Sequence, residues 1–84
     1  MKNSSLIHQH IQMITFSLLS QILKRDMQEF NESSDLVLDL QMTKQMKHLF
    51  YNELERQFYT EFSQSERKNV KQIGEVINMT SLKI

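Results

Sequence analysis

The histidines and carboxylates are the first residues to weigh for chemistry. His8 and His10 stand two apart, so on a helix their side chains diverge by about 200° and cannot share a metal ion. His48 has no carboxylate at helical spacing on its own face. Glu53 and Glu55 are split across a helix, and Glu61 has no second acid three or four residues on, so no general acid–base couple can be placed. Ser65-Glu66-Arg67-Lys68 reads as a helix start and not as an activated serine, and no nucleophile elbow is present. The lone Gly74 cannot build a phosphate loop. The chain has no cysteine, which removes thiol catalysis, disulfides and cysteine-based zinc sites together. The expectation is a protein that is not an enzyme and carries no cofactor or metal.

Binding chemistry is better represented. Lys44, Lys47 and His48 form one basic group, and Arg67, Lys68 and Lys71 form another. Asp26, Glu29, Glu32, Asp35 and Asp39 make an acidic zone with no base among them. On helices such groups are most simply solvated faces. A nucleic-acid reading would assign Arg67, Lys68 and Lys71 to phosphates and Thr80, Ser81 and Lys83 to base edges. Against it stand a formal net charge of zero and a pI near 6.8, because neutralising phosphates usually takes a basic surplus.

The elements that must position these residues are helical. The chain has no proline and one glycine, too few breakers for the frequent turns of a small β fold. A first helix is expected over 5–30, capped by Ser4 or Ser5 and striped by Ile7, Ile11, Ile14, Leu18 and Ile22. Leu6, Met13, Phe16, Leu19 and Leu23 widen the stripe beyond what one partner helix covers. That surplus favours a homodimer or a protein partner, and a three-helix monomer is the alternative. Residues 31–34 form a polar connection. Leu36, Leu38, Leu40 and Met42 alternate as in a strand but have nothing to pair with, so a helical turn or extended lead-in is expected there.

Thr43 should cap a second helix over 43–62, with Met46, Phe50, Leu54, Phe58 and Phe62 at four-residue steps. A third helix is expected over 66–78, with Ser65 or Asn69 as its cap. Gly74 would mark a close helix crossing, Asn78 a tight turn, and Thr80 the cap of a further helix. That is the front half of a helix-turn-helix. A plain bundle helix whose Ile73, Val76 and Ile77 close the core is the competing reading. The fold class is therefore all-α, a three-helix arrangement in one domain of residues 1–84. It has a long N-terminal helix and an incomplete helix-turn-helix at its C-terminus.

In order, the long apolar first helix, Asp39–Tyr51 (DLQMTKQMKHLFY) and Asn69–Ser81 (NVKQIGEVINMTS) resemble the opening of the multiple-antibiotic-resistance repressor (MarR) family. Leu38, Leu40, Thr43, Gln45 and Leu49 follow that family's entry into its second helix, and Val70 to Asn78 its third. The resemblance implies a winged-helix ancestry and a terminal helix that builds a dimer. Residues 52–68 are extra sequence by that pattern, and the recognition helix would comprise only Thr80 to Ile84, so the chain would be a truncated or reduced relative.

The functional expectation is a small regulator-type protein that works by helix-mediated association, through Ile7, Ile11, Ile14, Leu18 and Ile22. The alternative is a helical adaptor, anti-activator or immunity protein that binds a protein target and never DNA. Tyr51, Tyr59 and Phe62, expected to be exposed near a helix end, favour the second together with the near-zero charge, since aromatics often anchor interfaces. No run approaches the roughly 18 apolar residues of a membrane span, and Gln12, Thr15 and Ser17 interrupt the one stretch that a signal peptide would need. A cytoplasmic location is expected.

Overall fold

The apolar spacing of the N-terminal stretch produces the longest element. In the computed structural model, which describes residues 2–84 and their side chains from Leu6 onward, α1 runs over Lys2–Leu23. A 3-10 turn follows at Met27–Glu29, then α2 (Lys44–Phe58), α3 (Gln64–Asn69) and α4 (Ile73–Lys83). The expected cap at Ser4 or Ser5 lies outside the described side chains. Both α2 and α4 pack against α1. Ile11, Thr15, Leu18 and Leu19 are buried at helical spacing, one face turned to those partners.

The first helix is shorter than the periodicity predicts. Lys24 takes a left-handed conformation at φ 55°, the Ser20 hydroxyl donates to the Arg25 carbonyl, and Asp26 caps the 3-10 turn by accepting from the Gln28 amide. The chain thereby reverses, and Phe30 returns to stack on Phe16 with ring centroids 5.7 Å apart. Next comes the segment with alternating leucines. It is neither strand nor lead-in but a compact turn: the Asp35 carboxylate accepts from the Val37 and Leu38 amides, and the Asp39 and Leu40 amides donate to the Asp35 carbonyl. Leu36, Leu40 and Met42 enter the core, while Leu38 is 79% exposed.

The second helix begins as expected, with the Met46 amide donating to the Thr43 hydroxyl, but it ends at Phe58 and not at residue 62. Tyr59 takes the left-handed C-cap position at φ 51°, and Phe62 folds back to bury itself against Tyr51. In α3 the cap is Ser63. Its hydroxyl accepts from the Glu66 amide while Glu66 accepts from the Ser63 amide.

The helix expected over 66–78 is interrupted. Residues 70–72 leave the helix because the Lys71 and Gln72 amides donate to the Glu75 carboxylate, while the Lys71 carbonyl and the next two amides are taken by the earlier connection. The Leu36 amide donates to the Lys71 carbonyl at 2.8 Å, Ile73 to Ser34 at 3.1 Å and Gly74 to Glu32 at 2.8 Å, around a bridge between Asp35 and Gln72. Helix α4 then runs without a break through Asn78 and Thr80, so neither the turn nor the cap expected there exists. Gly74 does mark a close approach, though by a loop backbone and not by a helix. A Cβ at that position would lie 3.1 Å from the Glu32 carbonyl oxygen.

The stripe expected to associate with another molecule is largely spent inside this one. Ile11 and Leu18 are core residues, Ile14 and Ile22 are half-buried against the core, and Ile7 alone is mostly exposed. The radius of gyration is 12.0 Å, matching the roughly 12 Å at which a chain of this length closes on its own core.

Two buried threonines give a test of this packing. The Thr80 hydroxyl donates to the Val76 carbonyl at 2.8 Å, whereas the Thr15 hydroxyl has no partner among the described residues. An unpaired buried hydroxyl costs roughly 1–3 kcal/mol. Thr15→Val should therefore raise the melting temperature, at about 4–8 °C per kcal/mol for a domain of this size, and Thr80→Val should not. A Thr15→Val protein that melts at or below the wild-type temperature contradicts the arrangement.

Candidate functional site

Two surfaces carry binding chemistry, and the first assembles residues that are distant in sequence. Thr43 starts α2 so that Lys44, Lys47 and His48 occupy its first turns. The Ser63 cap then directs α3 back alongside, bringing Gln64, Ser65 and Lys68 opposite them. Together these residues line a cleft of about 520 Å³, with Tyr51 and Arg67 also in its wall. Lys44, Lys47 and Lys68 form no ion pair among the described residues. Lys44, Lys47 and His48 of one basic group thus share a site with Arg67 and Lys68 of the other, while Lys71 lies outside it.

Arg67 is the strut that holds the cleft together. Its guanidinium pairs with Glu55 at 2.8 Å, donates to the Phe62 carbonyl at 3.2 Å and lies 5.3 Å from the centre of the Tyr51 ring. Glu55 also accepts from the Phe62 amide at 2.7 Å, which fixes the loop between α2 and α3. Burial pushes the Glu55 carboxyl up, but the Phe62 amide and Arg67 outweigh it and hold the group below the usual glutamate range. Tyr51 is 1% exposed, and its hydroxyl has no hydrogen-bond partner among the described residues. Burial raises its pKa to about 12, against the opposing charge of Arg67, so the hydroxyl stays protonated as a donor.

The second surface is an apolar groove of about 770 Å³ between α1 and the reversing segment. Met13 and Phe16 form one wall, and Met27 and Phe30 the other, with Gln12, Ser17 and residues 31–33 at the edges. Met13 is 71% exposed and Met27 48%. The Gln12 side-chain amide donates to Glu32 at 2.9 Å and ties the two walls together.

The residues expected to touch DNA are dispersed. Thr80 has no exposed surface and is bonded within α4. Lys83 pairs with Glu66 at 2.8 Å and sits over the Phe62 ring, and Ser81 is half-buried. Arg67 is engaged as described. Lys71 is exposed at the bridge to Asp35, and Lys68 alone of the six lies free in the basic cleft. The histidines are likewise apart: His8 lies 3.7 Å from Glu32, His10 meets Phe58 edge-on, and His48 belongs to the cleft. Sequence reasoning missed the Glu55–Arg67 pair, whose members lie twelve residues apart with no shared period. It also missed Ser63, although Ser63-Gln64-Ser65-Glu66 carries the capping-box signature.

A pH-dependent consequence follows from Glu55. A carboxyl with a depressed pKa stabilises the fold above its unfolded pKa, and that stabilisation is lost as pH falls through the folded value. Glu55→Gln should destabilise the protein at pH 7 by about 1–2 kcal/mol, because Arg67 and the Phe62 amide lose a charged acceptor. Melts of wild type and variant should converge as the pH drops below the usual glutamate range. A gap that is constant from pH 7 to pH 3 contradicts the assigned role.

No helix among the described residues is long and apolar enough to cross a membrane. Compared with models of known protein families and with curated proteins, the chain matches none.

Proposed function

We propose that this chain is a non-enzymatic helical binding module that works by protein association, the adaptor reading, with the groove between α1 and the reversing segment as its contact surface. The observation that carries this is the pair of exposed methionines, Met13 and Met27, set on opposite walls of one apolar groove. Methionine side chains are flexible and polarisable, and they suit a surface that must adapt to a partner. The regulator reading needs base contacts from Thr80, Ser81 and Lys83. Their burial and pairing favour the adaptor instead.

Charge selects the occupant. Residues 26–35, which close the groove, contain Asp26, Glu29, Glu32 and Asp35 and no lysine or arginine. Among the described residues, Glu29 alone of these has an arginine or lysine ion pair, with Arg25 at 3.1 Å. The fitting partner is an amphipathic helix with an apolar face for the groove and basic residues at its margins. A twofold pairing of two copies through this groove would set their acidic segments against each other.

Two synthetic helices sharing a leucine face, one with lysine and one with glutamate on the polar face, test the proposal by fluorescence anisotropy. The lysine peptide should bind at least tenfold more tightly than its twin, and Met13→Gln with Met27→Gln should weaken it by about tenfold, or 1.4 kcal/mol. Equal binding of both peptides, or indifference to the methionine changes, sinks the reading. A dimer that the same changes dissociate would give the groove to a second copy.

A further inference from the structure

We propose that the cleft between the first turns of α2 and α3 binds a compact polyphosphate group, the di- or triphosphate of a small soluble ligand. Three lysines and His48 line a volume of about 520 Å³, together with donors from Gln64 and Ser65. That volume lies within the roughly 300–1,000 Å³ of small-ligand sites. The charges come from two elements and converge, so several negative charges held close together satisfy them better than an extended strand does.

The charge of the cleft is under-satisfied in the free protein, since Lys44, Lys47 and Lys68 form no ion pair among the described residues. The first turn of α2 has no acidic residue and carries Lys44 and Lys47, where the helix dipole already presents partial positive charge. The first turns of α3 and α4, by contrast, hold Glu66 and Glu75. An anion seated at the α2 terminus would relieve the stacked positive charge and accept from its free amides. The Tyr51 ring contributes to the wall of the same cleft.

Tripolyphosphate is a direct probe, titrated by calorimetry and thermal melting with sodium chloride adjusted to constant ionic strength. Saturable one-to-one binding is expected, with a rising melting temperature and amide shifts in Lys44, Lys47, Tyr51 and Lys68. Lys47→Gln with Lys68→Gln should weaken binding at least tenfold while leaving the fold intact. The proposal fails if tripolyphosphate does no more than sulfate at matched ionic strength, or if the lysine variant binds like wild type. Preferential binding of a duplex DNA fragment at equal phosphate concentration would overturn the compact-ligand assignment. Because the groove residues Met13 and Met27 take no part, this result is independent of the peptide experiment.

Discussion

Everything in this fold depends on one short backbone crossing, where residues 32–36 run against residues 71–74. Three main-chain hydrogen bonds, two of which make the Asp35–Gln72 bridge, join two stretches that are far apart in sequence. An unpaired buried amide or carbonyl is costly, so once these groups are matched the chain there cannot also be helical. The crossing therefore divides the C-terminal third into α3 and α4. It also starts α4 where Ile73, Val76 and Ile77 meet the buried face of α1. Gly74 belongs to the same device, since any larger side chain would crowd the Glu32 carbonyl.

Both proposed binding surfaces are by-products of how loops are fastened. The basic cleft exists because the Glu55–Arg67 pair and the Ser63 cap fold α3 back beside the start of α2. The apolar groove exists because Asp26 and Lys24 reverse the chain after α1 and return Phe30 to Phe16. Each fastening is a polar contact worth little alone, yet each decides which side chains become neighbours. A neutral chain thereby acquires a concentrated positive site and an acid-flanked apolar one.

The helical class, the Thr43 cap and the burial of Phe50 and Leu54 were legible because they follow from local spacing and capping chemistry. So were Ile73, Val76 and Ile77 as core. Tyr51 and Phe62, expected at the surface, are buried against each other, and Tyr59 alone of the three is exposed. The turn at Asn78 was misplaced for a physical reason. The break at Val70–Gln72 is partly local, since the Glu75 carboxylate accepts from the Lys71 and Gln72 amides, and partly due to hydrogen bonds with residues more than thirty positions away. The first helix was drawn too long because Met27 and Phe30 keep the helical spacing while packing through a 3-10 turn and an extended residue. The stripe from Ile7 to Ile22 was correctly read as apolar, but an excess of apolar surface does not tell whether α4 or another molecule covers it. The basic cleft could not be read at all, as it needs α3 to fold back on α2.

Amide hydrogen exchange at Leu36, Ile73 and Gly74, followed residue by residue by NMR, tests the crossing most directly. Protection of all three close to that of Leu54 in the core is the expected result, together with non-helical carbon shifts at Lys71 and Gln72. Rapid exchange at Leu36 combined with helical shifts running unbroken from Glu66 to Asn78 would contradict the crossing, and with it the placement of α3, α4 and the cleft.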